Sequence, residues 1–271
     1  MGGAIVASND IEGLFLNPAC LVFSKSPGVL FSFNKWLADT NQGLIAISIP
    51  AREYIIGYGF FYLDYGKIKE TTREYPSGTG RDYSSDSLLA GLCVAREIGF
   101  AGIGGYVGFV REQIDDVKAD GVLGGIGLVC QPIKRLSFGC SLSDVTFKKL
   151  TFIKEKGSLA KRLTIGVDYG KEGLPFFIEG DVFFLEDEKN GFGLGFEYIL
   201  KEMLVLRVGY SSRLTSLGDG LSLGFGFLTD KLEIRYAFLP SSLESTHQLS
   251  IVFTLGEGLK KKSKCSDHFK I

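Results

Sequence analysis

The sequence is short of the residues from which most active sites are built. It holds only two His, two Met and one Trp in 271 residues. Its five cysteines (Cys20, Cys93, Cys130, Cys140, Cys265) are odd in number and never spaced C-x-x-C, which excludes a zinc knuckle and a full disulfide set. Cys93, Cys130 and Cys140 fall inside strand-like runs and read as small hydrophobes. Two histidines without a ligand cluster leave zinc chemistry nothing to bind, and no G-x-S-x-G elbow occurs. Gly102-Ile103-Gly104-Gly105 and Gly124-Gly125-Ile126-Gly127 lack the G-x-G-x-x-G spacing of a dinucleotide loop and read as strand glycines. Glu179 and Asp181 sit two apart, a weak basis for paired-acid catalysis. The chain therefore reads as a non-enzyme, with no catalytic residue, cofactor or metal. Charge is balanced, 30 basic against 31 acidic residues, which gives no reason to expect nucleic acid as a partner. No apolar run approaches the roughly 18 residues of a spanning helix, so any membrane crossing must be made by strands.

What is abundant is glycine and phenylalanine, 36 and 22 residues, a mixture that suits sheet better than helix. The apolar residues recur with period two. Leu204, Leu206, Val208 and Tyr210 alternate with Val205, Arg207 and Gly209; Leu221, Leu223, Phe225 and Phe227 alternate with Ser222, Gly224 and Gly226. The same pattern runs through 136–143, 163–169, 192–198, 232–238 and 249–254. One face is large and oily. The other is mostly Gly and Ser, which suits the inside of a closed curved wall. Strands are expected near 29–37, 42–50, 53–63, 86–97, 99–111, 120–131, 134–144, 161–170, 174–185, 191–200, 203–213, 219–229, 231–239 and 245–255. Most have the length of tilted transmembrane strands, roughly 9–11 residues. Short joints at 50–52, 97–98, 132–133, 171–173, 201–202 and 230 alternate with longer ones at 64–85, 112–119, 145–160, 186–190, 214–218 and 240–244. Outer-membrane barrels pair short periplasmic turns with long outer loops in this way. The expected fold is all-β: a closed antiparallel transmembrane barrel of about fourteen strands, with both termini in the periplasm.

Parity puts Asp168, Glu179, Asp181, Glu197, Arg207, Glu233 and Arg235 on the inner face. They read either as a polar path for a solute or as a network of paired charges filling the lumen. Trp36, Tyr54, Tyr198, Tyr210 and Tyr236 suit an aromatic girdle, with ordinary sheet packing as the alternative. His247 reads as a rim residue or a proton-sensitive one. Residues 1–28 do not alternate, and Asn17-Pro18-Ala19 breaks any strand. This segment reads as a small non-barrel element preceding a barrel of residues 29–255, and the Lys-rich stretch 256–271 reads as a polar periplasmic tail.

The opening Met1-Gly2-Gly3-Ala4-Ile5-Val6-Ala7, then Asn9-Asp10, then Asn17-Pro18-Ala19-Cys20-Leu21, resembles that of the PorV/PorQ family of FadL-like outer-membrane barrels. Leu206-Arg207-Val208-Gly209-Tyr210, Arg235-Tyr236-Ala237-Phe238 and Thr246-His247-Gln248-Leu249-Ser250 are similar to its later strands. Cys20 stands where the family usually has Gly. The resemblance implies a fourteen-stranded barrel in the bacterial outer membrane, with residues 1–28 as a hatch carried by Gly2, Gly3, Ala4, Asn17, Pro18 and Ala19. It also implies that the natural start lies upstream of Met1, beyond a cleaved signal. Asn17 and Pro18 then read as a gating hinge, or as a turn whose Asn side chain satisfies nearby backbone. Outer-membrane lipid is the expected surrounding. Three functions follow as expectations: passage or binding of small hydrophobic solutes; a non-conducting adaptor that hands secreted client proteins to a type IX-like secretion system; or a soluble β-barrel with no membrane role.

Overall fold

The computed structural model describes residues 6–7, 11–153, 155–170, 174–186, 189–213, 220–241 and 244–256. Gly2, Gly3 and Ala4, the stretch 214–218 and the tail from 257 onward lie outside the described residues. Two short 3-10 turns, Ile11–Gly13 and Pro18–Phe23, precede the sheet. The strands are β1 (Gly28–Lys35), β2 (Asn41–Ala51), β3 (Tyr54–Lys69), β4 (Asp82–Ile98), β5 (Ala101–Ile114), β6 (Val117–Ile133), β7 (Leu136–Lys148), β8 (Leu150–Phe152), β9 (Glu155–Gly157), β10 (Arg162–Gly170), β11 (Phe176–Leu185), β12 (Gly191–Leu200), β13 (Leu204–Ser211), β14 (Leu221–Leu228), β15 (Leu232–Leu239) and β16 (Thr246–Thr254).

Fourteen of these close into one antiparallel barrel in chain order, β7 pairing directly with β10 and β1 sealing against β16. β8 and β9 form a separate hairpin inside the β7–β10 connection. The alternation decides which side chain faces where. On β13, Leu206 is 53% exposed while its neighbour Val205 is 2% exposed. Phe192, Phe225 and Ile165 likewise point away from the barrel, whereas Ser137, Ser141, Thr164 and Ser250 are buried within it. The outer surface is thus a continuous apolar belt, far larger than the few hundred Å² that soluble monomers leave uncovered.

Two expected loops prove shorter than the hydrophobic pattern indicates. The stretch 64–85 contracts to a connection at 70–81, because β3 and β4 continue their ladder past a bulge between Asp64 and Lys67. The stretch 112–119 contracts to Asp115-Asp116, because Asp115 adopts φ +54° and makes a tight hairpin turn whose hand matches the strand twist. In both places the backbone ladder persists where the side chains have turned polar, so periodicity fades before the strand ends. At the other end of the barrel, Arg52, Arg135, Lys201 and Glu202 also take positive φ in tight connections. The outcome is an uneven rim. β3, β4 and β6 run for 16, 17 and 17 residues, whereas β1, β13, β14 and β15 run for 8.

Candidate functional site

The described part of the N-terminal segment, Val6–Ala7 and Ile11–Phe23, sits inside the barrel against the tall wall formed by β3–β7. Leu14, Leu21, Val22 and Phe23 are at most 5% exposed and join one apolar cluster with Cys93, Ala95, Tyr106, Val110 and Leu123 of that wall. Phe15 meets Tyr106 edge to face at 5.4 Å between ring centres. Burying side chains of this size is worth about 1.5–3 kcal/mol each.

The wall accepts the segment because it is made of glycine where the segment lies closest. A methyl carbon added at Gly57 would stand 2.7 Å from Leu14 and 2.8 Å from Leu21. One added at Gly104 would stand 2.6 Å from the backbone of Pro18 and Ala19. At Gly127 it would overlap the Asn17 side chain, and at Gly139 the Val6 carbonyl. The small-residue face read from the sequence as curvature is, on these strands, also a seat for another piece of chain.

Asn17 is the polar centre of the seat. It is fully buried and caps the Pro18–Phe23 turn by accepting a bond from Ala19 N–H at 3.1 Å. Its amide donates to Val6 O at 2.6 Å and to Leu128 O on β6 at 3.2 Å. Asn is favoured at such a cap, and Pro fits the first helical position because its missing N–H is not needed there. Cutting these bonds leaves buried acceptors unpaired, at a cost of about 1–3 kcal/mol. Asn17→Ala is therefore expected to raise amide exchange over residues 11–23 while the barrel strands stay protected. Unchanged exchange there would mean that apolar contact alone holds the segment.

The opposite half of the interior is charged. Arg207 donates from Nε to Glu197 at 2.7 Å and from Nη2 to Glu233 at 2.9 Å. Arg235 forks onto Glu233 at 2.8 and 2.9 Å and reaches Glu12 of the N-terminal segment at 3.5 Å. Gln248 donates to the other oxygen of Glu12 at 2.6 Å. Asp168 and Glu179 stand opposite each other in the β10–β11 register, with Glu179 buried. Asp181 accepts from Val6 N–H at 3.0 Å. The seven inner charges thus fall into two groups on β10–β15, and each group touches the N-terminal segment. Glu12, Phe15, Tyr106 and Gln248 were not singled out from the sequence. A signal for Glu12 exists in hindsight: it is the one charge between Ile11 and Leu14, and it faces away from the apolar wall.

From above, the β8–β9 hairpin folds over the same wall. Leu150 is 3% exposed and packs on Val110 and Gly121. Leu159 N–H donates to the Thr146 hydroxyl at 3.2 Å. Below, Lys25 pairs with Glu97. The interior is thus not uniformly polar. Its tall side is an apolar column of N-terminal segment and hairpin, and its short side carries the ions.

The aromatic residues occupy both ends of the belt. Trp36 lies in the β1–β2 connection, with its N–H bonded to Thr40 O at 2.8 Å. Tyr210 stands near the same end against Phe192, 5.7 Å between ring centres. Tyr54 and Tyr198 stand toward the end of the short turns, and Arg96 lies over the Tyr54 ring at 5.4 Å. Tyr236 points outward, its hydroxyl 2.7 Å from His247 Nδ1. In the outer connection 70–81, the Thr79 hydroxyl and Arg81 hold the Glu70 carboxyl below its ordinary range.

At the level of sequence, no family model and no curated protein matches the chain. Solved structures do match in shape. The Pseudomonas putida toluene transporter TodX superposes with a TM-score of 0.70 at 13% identity, over 95% of this chain and 97% of TodX. The Ralstonia pickettii toluene transporter TbuX gives 0.64 at 16% identity, over 93% of this chain and 95% of that one. A Pseudomonas aeruginosa FadL homologue gives 0.63 at 11% identity, over 94% and 96%. At such identities the likeness is one of fold: this chain has the barrel architecture of FadL-like proteins.

Proposed function

We propose that the protein is a FadL-like barrel of the bacterial outer membrane that passes or binds small hydrophobic solutes, and that within this class it is of the PorV/PorQ type. The observation that carries the reading is the occupied lumen: a closed fourteen-stranded barrel, oily outside, holds its own N-terminal segment on a glycine wall. The solved barrels that share its architecture include two toluene transporters. The chemistry of the interior also suits this role. An apolar solute displacing the segment from Leu123, Val110 and Tyr106 would meet an apolar surface, while Arg207 and Arg235 on the far side keep their pairs with Glu197 and Glu233.

The membrane part is tested at Leu206, midway along β13. Arginine on the lipid face at midplane costs about 2–4 kcal/mol. Leu206→Arg is expected to lower stability by that amount in urea titrations of the protein folded into vesicles. A soluble barrel would accept the same change with little loss, so a neutral result removes the membrane reading. The solute part is tested by uptake of a small aromatic hydrocarbon into proteoliposomes. Uptake should rise above protein-free vesicles and change when residues 6–23 are deleted.

A second reading, a non-conducting adaptor for secreted proteins, draws on a different observation. The segment from below and the β8–β9 hairpin from above fill the apolar half, and the tall wall stands clear of the belt as an outer platform. Co-purification of large exported proteins, with no solute uptake, would favour it over transport.

A further inference from the structure

The apolar belt is not the same height all round, and its charged borders show where each side must meet water. On β4, the outward charges Arg96 and Asp86 are ten residues apart. At a strand rise of 3.3 Å and a tilt near 40°, that separates them by about 25 Å along the membrane normal. This equals the usual apolar band of such barrels. The opposite face is lower. Lys231 precedes Leu232 at the lower end of β15, and Lys35 lies level with His247 and Phe238 at the upper end. Seven residues separate those levels, or about 18 Å by the same conversion. The upper border is fixed by a second charge, since Lys35 pairs with Glu244 at 3.5 Å with both side chains over 40% exposed. Between the borders, β14 and β15 show lipid only the short stripes from Leu221 to Phe227 and from Leu232 to Phe238, and the β16 stripe runs from Leu249 through Phe253 to the exposed Leu255, one residue below the level of Lys231.

We propose that the β14–β16–β1 face is a membrane-thinning surface, whose partner is a locally compressed lipid bilayer. The proposal rests on the membrane reading above. A bilayer of ordinary thickness would draw Lys35, Glu244 and Lys231 into hydrocarbon. Thickness mismatch costs fractions of a kcal/mol per ångström, whereas a charge costs more the deeper it is drawn, up to about 2–4 kcal/mol at midplane, so three charges bordering one face favour the lipid yielding. The tall wall, with its 17-residue strands, holds the bilayer at full thickness on the other side. Hydrophobic molecules or chains moving in the membrane would find their shortest crossing beside β15.

The lone tryptophan, Trp36, reports the upper border of the short face without any mutation. The protein is folded into phosphatidylcholine vesicles carrying bromine near the headgroup, at mid-chain or at the chain end. Trp36→Phe/Phe253→Trp reports the lower border; Trp36→Phe/Leu88→Trp and Trp36→Phe/Ile98→Trp report the tall wall. Thinning predicts that all four probes are quenched best by bromine near the headgroup. Strongest quenching of Trp36 or of the residue 253 probe by mid-chain bromine, with the tall-wall probes still at the headgroup, would show a bilayer of uniform thickness and overturn the proposal alone. Failure of the protein to give a heat-modifiable folded band with any of these lipids would instead bring down the membrane reading and this proposal with it.

Discussion

Gly104→Val should leave the barrel closed and expel the N-terminal segment from it. The new side chain would begin 2.6 Å from the Pro18–Ala19 backbone, and a backbone held by a cap and a proline ring cannot yield as a flexible side chain would. Close-packed interiors transmit such overlap rather than absorb it. Lost with the seat is the burial of Leu14, Leu21, Val22 and Phe23, several kcal/mol at about 1.5–3 each. The fourteen-strand ladder does not depend on those contacts. Heat-modifiable migration should therefore survive, while trypsin gains a cut at Lys25 in the folded protein. Gly43→Val is the matched control, because nothing lies within 4 Å of a side-chain carbon there. If Lys25 stayed protected in Gly104→Val, the segment could not be resting where the structure puts it.

Arg207→Leu is the second change expected to have a large effect. Arg207 is 15% exposed and bonds both Glu197 and Glu233. Removing one member of a buried ion network leaves uncompensated charge and typically costs about 3–5 kcal/mol. Urea unfolding in vesicles should show a loss of that order. Adding Glu197→Gln should return part of it, since one of the stranded carboxylates is then gone. The exposed loop pair of Arg81 with Glu70 and Asp115 offers the contrast, and Arg81→Leu should leave stability unmoved, as surface pairs usually do. No effect at Arg207 would mean that the lumen is open to water, and a full-sized effect at Arg81 would mean that burial does not set the difference between the two sites.

The barrel was legible in the sequence because lipid enforces a strict rule. Every outward residue must be apolar, so Leu204, Leu206 and Val208 betray β13 with no knowledge of its neighbours. Where that rule lapses, legibility lapses too. Lys67–Lys69 and Asp82–Ser85 are strand in the structure but read as loop, because above the belt both faces meet water while the ladder continues. The inner face carried less information. Its glycines on β3–β7 announced a small side but not its occupant, since the fit of Gly104 to Ala19 joins residues 85 positions apart and leaves no periodic trace. The charges were assigned to the interior by parity alone. Their pairing was not readable, because Arg207 meets Glu197 and Glu233 only through the register of four strands.

The seam between β1 and β16 has a consequence for how the molecule is made. The apolar cluster around the N-terminal segment draws almost all its members from residues 11–150, with Val252 as its one late contributor. The first half of the chain can therefore wrap a finished greasy centre as an open, curved sheet. The second half, β10 to β16, then arrives as a sleeve, and its last strand zips against the first over eight successive residues. Nothing has to be threaded through a completed ring when β1 and β16 meet last, with the core already seated on the open sheet.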